Sequence, residues 1–345
     1  MKLLRLGLIA VAVSALAAVA LVAKQAPPAG AKMADAATKF LASLSPELKK
    51  KAAFAFDDPV REKWYFTPQQ DKQRNPTRKG VRLEELNADQ KMAALGLLRA
   101  GLSTRGFDEA TTIMSLEAIL AELEKKGAMV RNPNWYFVSV FGEPSNTGKW
   151  GWRVEGHHLS VNLTLDKGEV VAAAPVVFGA NPAEVKQGPR KGLRTLPETE
   201  DPAKALVASL TEEQKKVALQ LKQHPEIKEG QPTAGVGAPA GLAAAKMTEE
   251  QKATLWKLLE GYANRMPADV AAAELQRVKD AGLDKVHFAY WVGEDKPGKP
   301  HTYRVQGPTF VIEFLNVQAD SAGNPANHIH SGWRRLPIDF GLKGS

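Results

Sequence analysis

Two kinds of hydrophobic spacing alternate along the chain, and the alternation runs twice. Apolar residues at helical intervals come first, behind signals that open a helix: Ser45-Pro46-Glu47 supplies an N-cap with a first-turn proline, and Asn87-Ala88-Asp89-Gln90 has capping-box spacing. A further helix is predicted over Ser115 to Lys126, ending near Gly127. Period-two patterns follow and predict strands at Trp135 to Phe141, Trp150 to Glu155, His157 to Leu165 and Glu169 to Ala174, separated by turns at Gly142 to Gly148 and Asp166-Lys167-Gly168. The second pass repeats the order. Thr211 to Gln214 and Thr248 to Gln251 are again capping boxes, Ala268 to Asp280 is a helix ending at Gly282, and strands run from Val286 through Phe314. A longer insertion, Asn316 to Asn327, replaces the short turn, and the Gly- and Pro-rich stretch Gly230 to Gly241 reads as loop.

The two passes also share residues. Gln90-Lys91 matches Gln251-Lys252, Gly142 and Gly156 match Gly293 and Gly307, and the Phe178-Gly179 pair matches Phe340-Gly341. The expected fold is therefore α+β with an internal duplication, each half being helices followed by an antiparallel β-meander. Residues 32–200 form the first repeat and 201–345 the second.

Residues 1–31 look different. Lys2 and Arg5 precede an uncharged apolar stretch from Leu6 to Ala23, and Ala29-Gly30-Ala31 offers a small-x-small cleavage site, so an export signal or an N-terminal anchor is expected and the protein should be periplasmic or secreted. The chain contains no cysteine, which excludes disulfides, thiolate metal sites and cysteine nucleophiles. Its net charge of +8 falls by three, to +5, when Lys2, Arg5 and Lys24 leave with the signal. No interleaving of aromatic and basic residues accompanies that charge, so nucleic acid is not an expected partner, and a membrane is expected only through an uncleaved N-terminus. A small molecule or an envelope component remains.

Candidate chemistry lies in the histidines. If 157–165 is an extended strand, Leu159, Val161, Leu163 and Leu165 make an apolar face, while His158, Ser160, Asn162 and Thr164 make a polar one. In the matching strand Glu313 takes the face equivalent to that of His158, among apolar neighbours, where a carboxylate needs a partner. His328-Ile329-His330 places two imidazoles on one side of a strand, a spacing that suits a shared metal ion. Adjacent His157 and His158 are not expected to face one pocket together. The hypothesis is a divalent metal (zinc, iron, copper or manganese) held by His158, His328 and His330, with Glu313 as fourth ligand or general base. Arg334 would bind an anionic group of the substrate and Asp339 would orient a histidine. The opposing expectation is a polar network without a metal, with Glu313 paired to Arg304 or Arg334.

The blocks Trp150 to Leu159 (WGWRVEGHHL), Ile312 to Asn316 (IEFLN), Asn327 to Arg334 (NHIHSGWR) and Asp339-Phe340-Gly341 resemble the domain of unknown function 3500 family of bacterial proteins. That resemblance covers most of the chain after the signal and implies no assigned activity. Function therefore rests on the residues: a metal-binding enzyme for hydrolysis or oxidation, or a non-enzymatic envelope protein that binds a ligand or partner, its histidines being structural.

Overall fold

The computed structural model describes residues 27–125 and 127–341. The apolar stretch of the expected signal lies outside the described residues, whereas Ala29-Gly30-Ala31 forms the first turn of helix α1 (Ala29–Ser43). The Ala29 N–H donates to Asp269 Oδ2 at 2.9 Å, and a Cβ on Gly30 would lie 2.0 Å from the Gly168 carbonyl oxygen.

The remaining helices start where their caps are written. Ser45 caps α2 (Pro46–Ala52) and Ser103 caps α4 (Thr104–Leu123), while reciprocal capping boxes open α3 (Ala88–Ala100), α6 (Glu212–Ala218) and α7 (Glu249–Ala263). α5 (Pro197–Ala208) and α8 (Ala268–Ala281) complete the set. α4 begins well before the expected Ser115, because Ser103 accepts from the Gly106 N–H and Phe107, Ala110, Ile113 and Met114 bury one face of the added turns. Among the described residues no helix is long and apolar enough to cross a membrane.

Twelve strands among the described residues form one mostly antiparallel sheet. In chain order they are β1 (Ala53–Phe54), β2 (Val81–Arg82), β3 (Phe137–Phe141), β4 (Lys149–Gly156), β5 (Leu159–Asp166), β6 (Glu169–Ala172), β7 (Val176–Ala180), β8 (Leu242–Ala243), β9 (His287–Val292), β10 (His301–Gln306), β11 (Phe310–Gln318) and β12 (His328–Arg335). The spatial order is β1-β3-β4-β5-β7-β12-β11-β10-β9-β8, with β2 on β3 and β6 on β5. In the second half β9, β10, β11 and β12 follow one another as the expected antiparallel meander, whereas the first half departs from it. β7 comes back past the short β6 ribbon to lie between β5 and β12, and β12 pairs with it from Trp333 opposite Val176 to Ile329 opposite Ala180. Strands from both expected repeats therefore share one continuous sheet.

Both faces of that sheet are covered. Helices bury one face, where Leu159, Val161, Phe178, Phe314 and Trp333 join the main core. Two irregular straps, residues 55–80 and 219–241, cross the other, where Trp64, Phe66, Val177, Ile227, Leu315 and Phe340 form a second core. The straps also bind each other: Trp64 Nε1 donates to Gln231 O at 2.9 Å, the Gly230 N–H donates to Trp64 O at 2.8 Å, and the Phe66 N–H donates to Glu229 Oε2 at 2.8 Å. The cover leaves neither face of β5 in water, because Ser160, Asn162 and Thr164 on its polar face are as buried as their apolar neighbours.

Arg334 fastens the second strap to the sheet. Its Nε donates to Asp339 Oδ2 at 2.6 Å, its Nη1 to Lys228 O at 2.8 Å and its Nη2 to Gln231 O at 3.1 Å, with no exposed side-chain surface. Such a buried guanidinium deprived of its carboxylate typically costs about 3–5 kcal/mol. His224, on the same strap, has Nδ1 2.9 Å from Thr302 Oγ1.

Burial, helped by the charge of Arg304, pushes the His224 imidazole down to about 4. The unfolded chain takes up this proton below its ordinary value of about 6.5 and the folded chain does not, so stability is retained above pH 6.5 and lost as pH falls towards 4. The His224 share of that loss is expected to reach about 3 kcal/mol. Urea unfolding of the wild type and His224→Gln across this range should show a shallower acid decline in the variant; equal slopes would remove His224 as a cause.

Candidate metal centre

The centre forms where the β4–β5 hairpin meets β12. Gly156 pairs with Leu159, leaving His157 and His158 as a two-residue turn, with His158 at φ +63°. A turn breaks the strand alternation that would send adjacent side chains to opposite faces. The two imidazoles instead stack, with centroids 3.7 Å apart and planes at 29°, so the expectation that neighbouring histidines face different ways is corrected. His328 and His330 do behave as strand neighbours, sharing a face with ring centroids 4.8 Å apart.

Gly179 joins the two elements. It sits opposite His330 across the β7–β12 pair, and its N–H donates to the His158 carbonyl at 2.7 Å. A Cβ at this position would lie 2.6 Å from Ile329 O and 3.2 Å from both Cβ and Cδ2 of His158. The absence of a side chain therefore lets the His158 ring lie over β7 and reach His330.

Three Nε2 atoms converge as a result. His158 and His328 are 2.8 Å apart, His328 and His330 3.1 Å, and His158 and His330 3.3 Å. His330 Nδ1–H donates to Glu226 Oε2 at 2.8 Å, which leaves the Nε2 lone pair facing the other rings. Neutral imidazoles offer each such contact one proton at most, so three mutually close ring nitrogens compete for donors. A cation would satisfy all three together, and the group could hold a metal ion.

The surroundings favour neutral rings at His158 and His328. Burial, followed by the charges of the neighbouring histidines, holds His158 well below the ordinary imidazole value, and burial with His330 pushes His328 down to about 2. The edge of Phe66 meets His330 with centroids 5.1 Å apart. Burial also lowers His157, although Glu117 on α4 hydrogen-bonds its Nδ1 and pulls the other way. Arg131 Nη1 lies 3.0 Å from the same Nδ1, and its Nε donates to Glu124 Oε2 at 2.7 Å. For the Glu226 carboxyl, burial acts upward but the hydrogen bond and charge of His330 outweigh it, leaving its pKa below the ordinary value.

The other expected site residues lie elsewhere. Glu313 is opposite Arg304 on β10 and its Oε1 accepts from Arg304 Nη2 at 2.8 Å, so its carboxylate is engaged across the strand pair rather than grouped with the histidines. Burial raises its pKa despite Arg304. Arg334 has no surface to offer a substrate anion, and Asp339 orients Arg334 instead of a histidine. The carboxylate at the centre is Glu226, half-exposed on a strap with no regular period. Its only sequence signal is the short run His224-Pro225-Glu226.

Neither curated proteins nor solved structures yield a match to the chain. A family model described as protein of unknown function (DUF3500) matches residues 28–342, which take in the hairpin, both straps and the His-x-His strand. The chain thus belongs to the DUF3500 family, as the Gly-His-His and His-Ile-His blocks suggest.

Proposed function

We propose that His158, His328 and His330 bind one divalent transition metal ion, and that the ion keeps a position for water or substrate. The convergence of the three Nε2 atoms within 3.3 Å of one another carries this reading. Separations averaging about 3.1 Å are ones that three bonds of about 2.0–2.1 Å to a single ion would span. Three protein ligands would leave such an ion a further position for water or substrate. All-imidazole ligation suits zinc, iron or copper better than manganese. Glu226 acts behind His330, fixing its tautomer and raising its basicity.

An ion held by these residues would acidify a bound water and polarise an oxygen placed against it, so hydrolysis is the chemistry this donor set suits. Removing an imidazole should abolish stoichiometric metal, whereas Glu226→Gln and Gly179→Ala should weaken binding by about 10- to 100-fold, one through the supporting carboxylate and the other by displacing His158. Glu313→Gln should leave metal content unchanged. Elemental analysis and chelator competition on the purified chain check the series, and metal retained by the His328→Ala, His330→Ala double variant ends the proposal.

We also infer that the protein works outside the cytoplasm, on the strength of the basic start and uncharged apolar stretch of residues 2–23. N-terminal sequencing of protein from envelope and cytoplasmic fractions is the check; cytoplasmic protein retaining Met1 as its sole form contradicts it. A duplicated origin draws support from the matched capping boxes of α3 and α7 and from the mirrored strand orders β3-β4-β5-β7 and β9-β10-β11-β12. Aligned first halves of family members should then match aligned second halves, and a match no better than shuffled sequence would refute the duplication.

A further inference from the structure

A cavity of about 520 Å³ opens between α4, residues 182–190 and the β11–β12 loop. Its size is that of a small-molecule site. Ala118, Ile119 and Leu123 of α4 face Pro182, Val185 and Pro189 across it. Leu123 is 45% exposed, an apolar side chain left facing this space. The far wall is built as a lip: the Val185 N–H donates to Leu193 O and the Gly192 N–H to Val185 O, so 186–191 project beyond the paired base.

The charges around the cavity are unequally engaged. Asp320 is turned into its own loop, accepting from the Ala322 and Asn324 N–H groups and from the side-chain amides of Asn324 and Asn327. Glu122 pairs with Lys125 at 2.8 Å, and Lys186 pairs with Glu184 at 2.6 Å. Arg190 donates from Nη1 to Ser115 Oγ at 2.9 Å, and among the described residues no carboxylate forms a salt bridge with it. An apolar chamber thus carries one cation at its rim without a neutralising acid, with the planar fork of donors that matches a carboxylate.

We propose that this cavity binds an amphipathic monocarboxylate, with the hydrocarbon tail along α4 and the carboxylate on Arg190. The assignment does not depend on the metal centre. Isothermal titration of the full chain with decanoate and with decanol tests it. One decanoate per chain should bind saturably, and Ala118→Trp, on the exposed side of α4, should weaken it at least about tenfold by filling the chamber. Arg190→Gln should weaken decanoate by about tenfold or more and leave decanol unchanged. Metal content measured on the same samples should not move, which separates this site from the histidines. No saturable binding below about 1 mM, equal losses for acid and alcohol, or a dimer in sedimentation that Ala118→Trp dissolves would each overturn the proposal, the last by showing a second copy as the occupant.

Discussion

The pairing of β7 with β12 is the contact on which the centre depends. Among the described residues only there does the first half of the sheet meet the second, and its register sets Gly179 opposite His330. Because the Gly179 N–H also holds the His158 carbonyl, the hairpin turn is tied to the same rung of the ladder. A slip of one residue would move both β12 histidines to the helix-covered face, since side chains alternate along a strand. The convergence of imidazoles therefore follows from backbone pairing before any side chain chooses a rotamer.

Cover on both faces gives that pairing its surroundings. Helices alone would leave the polar face of β5 in water, but the straps bury Ser160, Asn162 and Thr164 and carry Phe66 and Glu226 to the histidines. The cost is a set of buried charges that must be held. Arg334 with Asp339 and Arg304 with Glu313 do this under the second strap. Their partners are structural, which is why neither arginine is free to meet a substrate.

Much of this was legible from local grammar. Capping residues marked the starts of α2, α3, α6 and α7, and period-two patterns located β3, β4 and β5 and bracketed β9 to β11, because both signals depend on near neighbours in sequence. His328 and His330 were legible for the same reason. The wedge of β7 between the halves was not, since five short buried residues carry no mark of which strand they will join. Glu313, isolated among apolar residues, called for a partner that the sequence left open between a metal and Arg304 or Arg334, and the partner is Arg304 on the next strand. Glu226 escaped because straps have no period, and their role is set by tertiary contact alone.

The chain separation of the histidines has a mechanical meaning. His158 and His328 stand 170 positions apart, in a protein with no cysteine to crosslink it. An ion bound to both would staple the early half of the polypeptide to the late half, closing a very long loop whose entropy the unfolded chain otherwise keeps. Binding free energy would then appear directly as folding free energy, so the three imidazoles that could hold an ion would also serve as a reversible rivet between the two halves of the sheet.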